Sequence, residues 1–195
     1  NNLDRVKAGF VGTLDPLASG YLPIALGSAT KVIPLAEKVS KRYIFTINWG
    51  KKTTTGDLEG DIVEEKKKFP NYKAIIKNVS MFLGRIEQIP PKFSSIKING
   101  QRAYNLVRKD KSFEIKKRVV KIFNLKLIRQ LSIEKAEFYV ECSSGTYIRS
   151  LAESISESLG TVGVLSSLRR VGFGNFNKKL ISLDYLLSLV HSDDL

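Results

Sequence analysis

The order of apolar and polar positions divides the chain into elements. In "RYIFTINW", Tyr43, Phe45, Ile47 and Trp49 alternate with Ile44, Thr46 and Asn48, which predicts a strand half-buried on one face. "KAEFYVEC" repeats the pattern, with Ala136, Phe138, Val140 and Cys142 set against Glu137, Tyr139 and Glu141. Helical spacing appears in "NYKAIIKNVSMFLG", closed by Gly84. It is clearest in "TYIRSLAESISESLG", where Ile148, Leu151, Ala152, Ile155 and Leu159 recur at helical intervals and Gly160 ends the run. A further helix, "LDYLLSLV", closes the chain. Between these lie the turn-rich "GKKTTTGDLEGD" and the Gly-containing connection "VGFGNF". With no internal repeat or long linker, the pattern predicts one α+β domain built on a mixed or antiparallel sheet.

Length and composition keep that reading: 195 residues suit one domain, and 43% hydrophobic residues can fill its core. Charge changes the picture. Lys+Arg number 32 against 19 Asp+Glu, a net +13, and such an excess is drawn to polyanions, of which nucleic acid is the commonest. A membrane is the rival, yet the sequence has no basic amphipathic helix, lipidation motif or long apolar span. Much of the charge falls between Lys92 and Lys121, in "KFSSIKINGQRAYNLVRKDKSFEIKKRVVK", with ten Lys/Arg against Asp110 and Glu114. Phe93, Tyr104 and Phe113 are interleaved, a composition that suits gripping phosphates and stacking on bases. The single Cys142 excludes an internal disulfide, and a reducing cytoplasm is expected. The opening residues read as an interior loop, so the natural N-terminus is expected upstream.

Few chemistries remain. The only histidine, His191, stands in the tail far from the only cysteine, which removes the parts of a Ser-His-Asp triad, a Cys-His pair and a zinc site. No GxxxxGK[ST] loop and no strand-borne GxGxxG is present. Asp57, Glu59 and Asp61 in "GDLEGD" lack the spacing of a calcium loop, and a solvated turn is the better reading. Asp15, in "GTLDPLA", also reads locally as a turn, because Pro16 pushes it to an extended conformation. Arg149 conflicts with local preference. If Thr146 caps the helix, a cation occupies the third helical position, where Glu or Gln is favoured, and a partner carboxylate is the natural relief.

Five stretches in order, "GTLDPLASGYLPIALGSATK", "KRYIFTINWGKKTTTGDLEGDIVE", "IEQIPPKFSSIKINGQRAYNLVR", "CSSGTYIRSLAESISESLG" and "LSSLRRVGFGNF", resemble the TruB family of tRNA pseudouridine-55 synthases over nearly the whole chain. RNA-guided relatives typified by dyskerin share the "GTLDP" core, whereas "LASGYLPIALG" looks bacterial. The resemblance implies the pseudouridine-synthase fold, a mixed, mostly antiparallel sheet flanked by helices, in a single catalytic domain over 1–195. It also implies a basic thumb-like insertion at about 92–119, closing on the T-arm of tRNA.

The resemblance implies roles as well. Asp15 is the catalytic aspartate, Arg149 its partner, and Tyr43 the tyrosine that packs on the uracil and helps move the proton from carbon 5. Tyr147 and Leu168 line the uracil pocket, and Phe10 stands where the family's "GHxGTLDP" pattern has histidine, able to stack on bases but not to hydrogen-bond them. RNA contact is expected from Lys31, Lys92, Lys97, Arg102, Tyr104, Arg108, Lys116, Lys117 and Arg118. The family's N-terminal "KPxGxS" strand and small C-terminal RNA-binding domain are expected to be absent or truncated. No metal, no cofactor and no obligatory protein partner is expected, and the protein is expected to be a monomer. The implied reaction isomerises uridine 55 with an ionised Asp15 and a flipped-out base. It proceeds by attack at the sugar, by attack at carbon 6 of the base, or through a glycal. Two alternatives stay open: an RNA-guided synthase, and a non-catalytic RNA-binding or RNA-folding protein of the same fold.

Overall fold

A computed structural model describes residues 6–94, 96–98, 100–107 and 112–176. The chain enters through β1 (Ala8–Phe10), loops to β2 (Ala18–Gly20) and returns in β3 (Ile24–Leu26), which pairs with β1. A 3-10 turn (Gly27–Val32) and the short helix α1 (Ile33–Ala36) lead to β4 (Lys41–Trp49). The hairpin of β5 (Lys51–Thr53) and β6 (Ile62–Glu65) precedes α2 (Tyr72–Val79) and β7 (Gly84–Gln88). The basic segment then holds a small hairpin, β8 (Lys97–Ile98) and β9 (Gln101–Arg102), and the short helix α3 (Ala103–Val107). Two long strands, β10 (Arg118–Ser132) and β11 (Lys135–Cys142), are followed by α4 (Ile148–Ser158) and β12 (Gly163–Phe173).

Six of these strands form one sheet in the order β2-β12-β4-β11-β10-β7. Every pairing is antiparallel except β12 with β2. The architecture is thus the α+β arrangement expected, mixed and mostly antiparallel. β4 and β11 alternate as their sequences require, and their buried side chains meet in register: Phe45 opposite Phe138, Ile47 opposite Ala136, Tyr43 opposite Val140. The Phe45 and Phe138 rings stack at 5.3 Å, and Trp49 meets Phe138 edge-on at 6.2 Å. α4 lays Ile148, Leu151, Ala152 and Ile155 on this face, and α2 adds Ile75 and Val79.

Two elements depart from the sequence pattern. The helix expected to run to Gly84 starts with Asn71 capping the Ala74 N–H at 2.9 Å but ends at Val79, passing into a 3-10 turn over Ser80–Phe82. Ser80 Oγ donates back to the Lys77 carbonyl at 2.9 Å, the kind of side-chain bond that competes with helix continuation. "VGFGNF" is not a connection throughout: Val171, Gly172 and Phe173 end β12, and the chain turns only at Gly174. The closing helix "LDYLLSLV" and His191 lie outside the described residues. Among the described residues, no helix is long and apolar enough to cross a membrane.

Phe138 is wholly buried between Phe45 and Trp49. Phe138→Ala is expected to lower stability by about 3–5 kcal/mol, through the transfer energy forgone and the cavity left behind, as measured by urea denaturation.

Candidate active site

Asp15 sits on the loop between β1 and β2, where its carbonyl accepts the Ala18 N–H at 2.8 Å in the tight turn the sequence suggested. The turn holds the carboxylate half-exposed, with a side chain 28% accessible, against a 5% accessible Arg149. The two are joined by a fork: Arg149 Nε donates to Asp15 Oδ2 and Nη2 to Oδ1, both at 3.0 Å. The rest of the guanidinium is occupied as well. Nη1 donates to the Thr55 carbonyl and Nη2 to the Phe93 carbonyl, each at 2.9 Å, and Asp57 Oδ2 stands 3.6 Å from Nη1.

Asp57 corrects the reading of "GDLEGD" as a solvated turn. It is buried, with Oδ1 accepting from Thr55 Oγ1 at 2.6 Å and from the Glu59 N–H at 3.1 Å, while its carbonyl accepts from Thr53 Oγ1 at 2.6 Å. The segment folds inward because the Leu165 N–H of β12 bonds the Gly56 carbonyl at 3.0 Å. In sequence this is indistinguishable from an ordinary turn, since the same Thr, Gly and Asp residues build both. Among the described residues no cluster of His, Cys, Asp and Glu could hold a metal ion.

The capping expectation also changes. Thr146 Oγ1 donates to the Ser143 carbonyl at 2.9 Å, and the N-cap of α4 is Tyr147, without a side-chain cap bond. Arg149 therefore stands at the second helical position, still at the positive end of the helix, and Asp15 supplies the compensating charge. Tyr147 is fixed by Gln88 of β7, whose amide accepts the Tyr147 N–H at 3.1 Å and donates to its carbonyl at 3.3 Å. The Arg118 guanidinium lies over the Tyr147 ring at 5.7 Å.

Asp15, Tyr43, Tyr147 and Leu168 line one cavity of about 270 Å³, at the small end of ligand pockets. Ser94 and Lys41 line it too. The buried Ser94 hydroxyl has no hydrogen-bond partner among the described residues. Lys41 Nζ donates to the Glu37 and Val39 carbonyls at 2.7 and 3.1 Å and to Ser144 Oγ at 3.2 Å, and burial lowers its pKa, with Arg170 adding to the effect. Burial pushes the Tyr43 phenol up to about 12; Cys142 adds to the rise and Arg170 opposes it.

Arg149 lies behind Asp15, lining a second hollow that Lys92 also borders. Phe10 is outside the cavity lining, 51% accessible on β1. Lys31, Lys92, Arg102, Lys116 and Lys117 are exposed, and Tyr104 and Arg118 are half-buried. Lys117 stands 3.4 Å from Glu87. Arg108 and the Lys97 side chain lie outside what the structure describes.

The sequence that builds this cavity matches a known family. The family model described as "TruB family pseudouridylate synthase (N terminal domain)" matches residues 1–148. The chain belongs to the TruB family. Among TruB relatives, the tRNA pseudouridine synthase B of Ehrlichia ruminantium (strain Gardel) is 45% identical over 195 aligned residues, covering 98% of this chain and 66% of the relative. That of Rhizobium etli is 44% identical over 190 residues, covering 97% and 61%. The chain thus spans less than two thirds of the length of these relatives. A chain from the crystal structure of a Cbf5-Nop10-Gar1 complex superposes with a TM-score of 0.72 at 30% identity, covering 97% of this chain and 47% of its own length. One from an H/ACA RNP bound to a substrate RNA containing 2'-deoxyuridine gives 0.70 at 26% identity, with 100% and 48% covered.

Sequence reasoning missed Asp57, Gln88, Ser94 and Lys41, none of which stands out without the tertiary contacts that bury it. Removing Asp57 leaves the Thr55 hydroxyl, the Glu59 N–H and part of the Arg149 charge uncompensated. Asp57→Ala is expected to cost about 2–3 kcal/mol in chemical denaturation. A loss under about 0.5 kcal/mol, the range of ordinary surface changes, would show that the carboxylate carries no part of the network.

Proposed function

We propose that this chain isomerises uridine to pseudouridine in tRNA, at position 55 of the T-loop, without a cofactor. The observation that carries the reading is the Asp15 carboxylate, held by Arg149 at the mouth of a cavity that Tyr43, Tyr147 and Leu168 also face. The names of the TruB relatives, tRNA pseudouridine synthase B, support tRNA as the substrate.

The reaction breaks the bond from ribose C1′ to uracil N1, turns the base, and joins C1′ to C5. The C5 proton leaves and N1 gains one, so no redox change or external group is needed. Asp15 serves either as nucleophile, at C1′ or at C6, or as the base that draws a sugar proton on the way to a glycal. Each role requires the carboxylate ionised, and the Arg149 fork supplies a fixed positive partner that orients both oxygens. The base must leave the T-loop stack to enter, at a cost of a few kcal/mol offset by contacts in the pocket. Tyr43 and Tyr147 offer aromatic faces, Leu168 an apolar wall, and the Ser94 hydroxyl, without a partner among the described residues, a hydrogen bond to the incoming nucleotide. Basic residues of 92–119 and Lys31 would hold the RNA backbone.

The likeness to Cbf5 structures makes a guided synthase the second reading. The two part in one experiment: an unmodified tRNA transcript incubated with the chain alone, followed by carbodiimide mapping. Pseudouridine at position 55 is the expected result, whereas binding without product would favour a guided enzyme or a non-catalytic module. In the same assay Asp15→Ala is expected to abolish product while leaving tRNA affinity within about threefold; substantial product from it would remove Asp15 from the chemistry. Reversing the charge of Lys116, Lys117 and Arg118 should weaken tRNA binding and lower the salt slope by about one for each phosphate no longer neutralised. An unchanged slope would take this segment out of the RNA interface.

A further inference from the structure

Arg170 is the largest wholly buried side chain among the described residues. It is the last of three β12 residues paired on both sides, facing Tyr43 across the antiparallel pairing with β4 and Gly20 across the parallel pairing with β2. Its backbone carbonyl accepts the Tyr21 N–H at 2.9 Å, and its Nε donates to the Tyr21 carbonyl at 2.6 Å. Its Nη2 reaches the Gly12 carbonyl at 3.0 Å. One residue thereby grips both ends of the segment that carries Asp15.

The two glycines at those ends fit this closeness. Gly20 has a φ of 101°, and a side chain there would run into the Arg170 carbonyl. Gly12 has a φ of 73°, and a Cβ would sit 3.3 Å from the Phe173 ring and 3.4 Å from Arg170 Nη1. The Phe173 ring covers the guanidinium at 5.3 Å. The Arg170 charge also favours the ionised form of the Tyr43 phenol, against burial and the charges of Cys142 and Asp15. Among the described residues it forms no salt bridge with a carboxylate. A cation buried against carbonyls costs several kcal/mol of desolvation, and an apolar side chain of similar volume would fill the space without that cost.

We propose that Arg170 is a positioning residue of the cavity: a single buried guanidinium that fixes the two ends of the Asp15 loop against β12, at the position that pairs with Tyr43 of β4. The loop hangs from a three-residue edge strand, whereas Tyr43 belongs to a central strand of the sheet. β12 pairs with both strands, and Arg170 adds side-chain bonds to both ends of the loop. Its effect on turnover rests on the isomerase reading; its grip on the loop does not.

The test compares the wild-type chain with Arg170→Met, an apolar replacement, and Arg170→Lys, which keeps the charge but cannot fork to both carbonyls. In Arg170→Met, single-turnover pseudouridine formation on a tRNA transcript is expected to fall about 100-fold, since displacement of a reacting group by about 1 Å has that effect. Affinity for the tRNA should stay within about twofold, and Arg170→Lys should recover part of the rate. Amide hydrogen exchange at Gly12–Tyr21 is expected to quicken about tenfold in Arg170→Met, with protection of β4 and β11 retained. A folded Arg170→Met with wild-type rate and wild-type exchange would overturn the proposal. Should that variant not fold, Arg170→Lys decides by the same two measurements: faster exchange over Gly12–Tyr21 supports the clamp, and unchanged exchange and rate overturn it. A wild-type chain that forms no pseudouridine would refute the isomerase reading, and the exchange comparison would still decide the clamp.

Discussion

The structure turns on the accommodation of one buried guanidinium. Arg149 presents its donors in a rigid planar fork, and with its side chain almost wholly out of water each must find an acceptor. Those acceptors come from three separate stretches: both oxygens of Asp15, the Thr55 carbonyl with Asp57 at a longer distance, and the Phe93 carbonyl. The β1–β2 loop, the β5–β6 turn, the start of the basic segment and α4 therefore converge on one group. A fold that left any of them out of place would bury an unsatisfied cation. The Asp15 carboxylate is held by the same need that closes the domain, which gives its two oxygens a fixed direction.

The sheet provides the second level of order. β4 and β11 bury alternate residues in a shared core with α4, and that same face of β4 delivers Tyr43 to the cavity. The cavity thus lies at the rim of the core. Tyr43, Ile148 and Leu168 belong both to its wall and to the core, which explains why burial raises the Tyr43 phenol so far and why Leu168 is both packed and available.

Much of this was legible in the sequence where a local rule and the tertiary structure agree. The two alternating strands and α4 follow from periodicity alone, and Arg149 announced itself as a cation at the wrong end of a helix. Family resemblance then linked it to Asp15. What escaped was chemistry that looks the same locally in two environments. Asp57 has the neighbours of a solvated turn, and only the Leu165–Gly56 bond of a strand more than a hundred residues later turns it inward. Thr146 has the composition of a cap and spends its hydroxyl on Ser143 instead. In "LRRVGF", nothing in the letters distinguishes exposed Arg169 from buried Arg170; strand alternation becomes informative only once one face is known to be covered.

The position of β12 has a consequence for how the protein is made. It is the last described strand of the sheet in chain order, yet it lies between β2 and β4, two of the earliest. On the ribosome, β4 must wait with one hydrogen-bonding edge open until residues beyond 163 emerge, and β2 has no strand to pair with. A nascent chain in that state presents an unpaired, largely apolar strand, the surface on which chains aggregate or chaperones act. Insertion of β12 closes that edge and seats the Asp15 loop in the same step. A growing chain therefore cannot display its Asp15 carboxylate in working order before its sheet is safe from its neighbours.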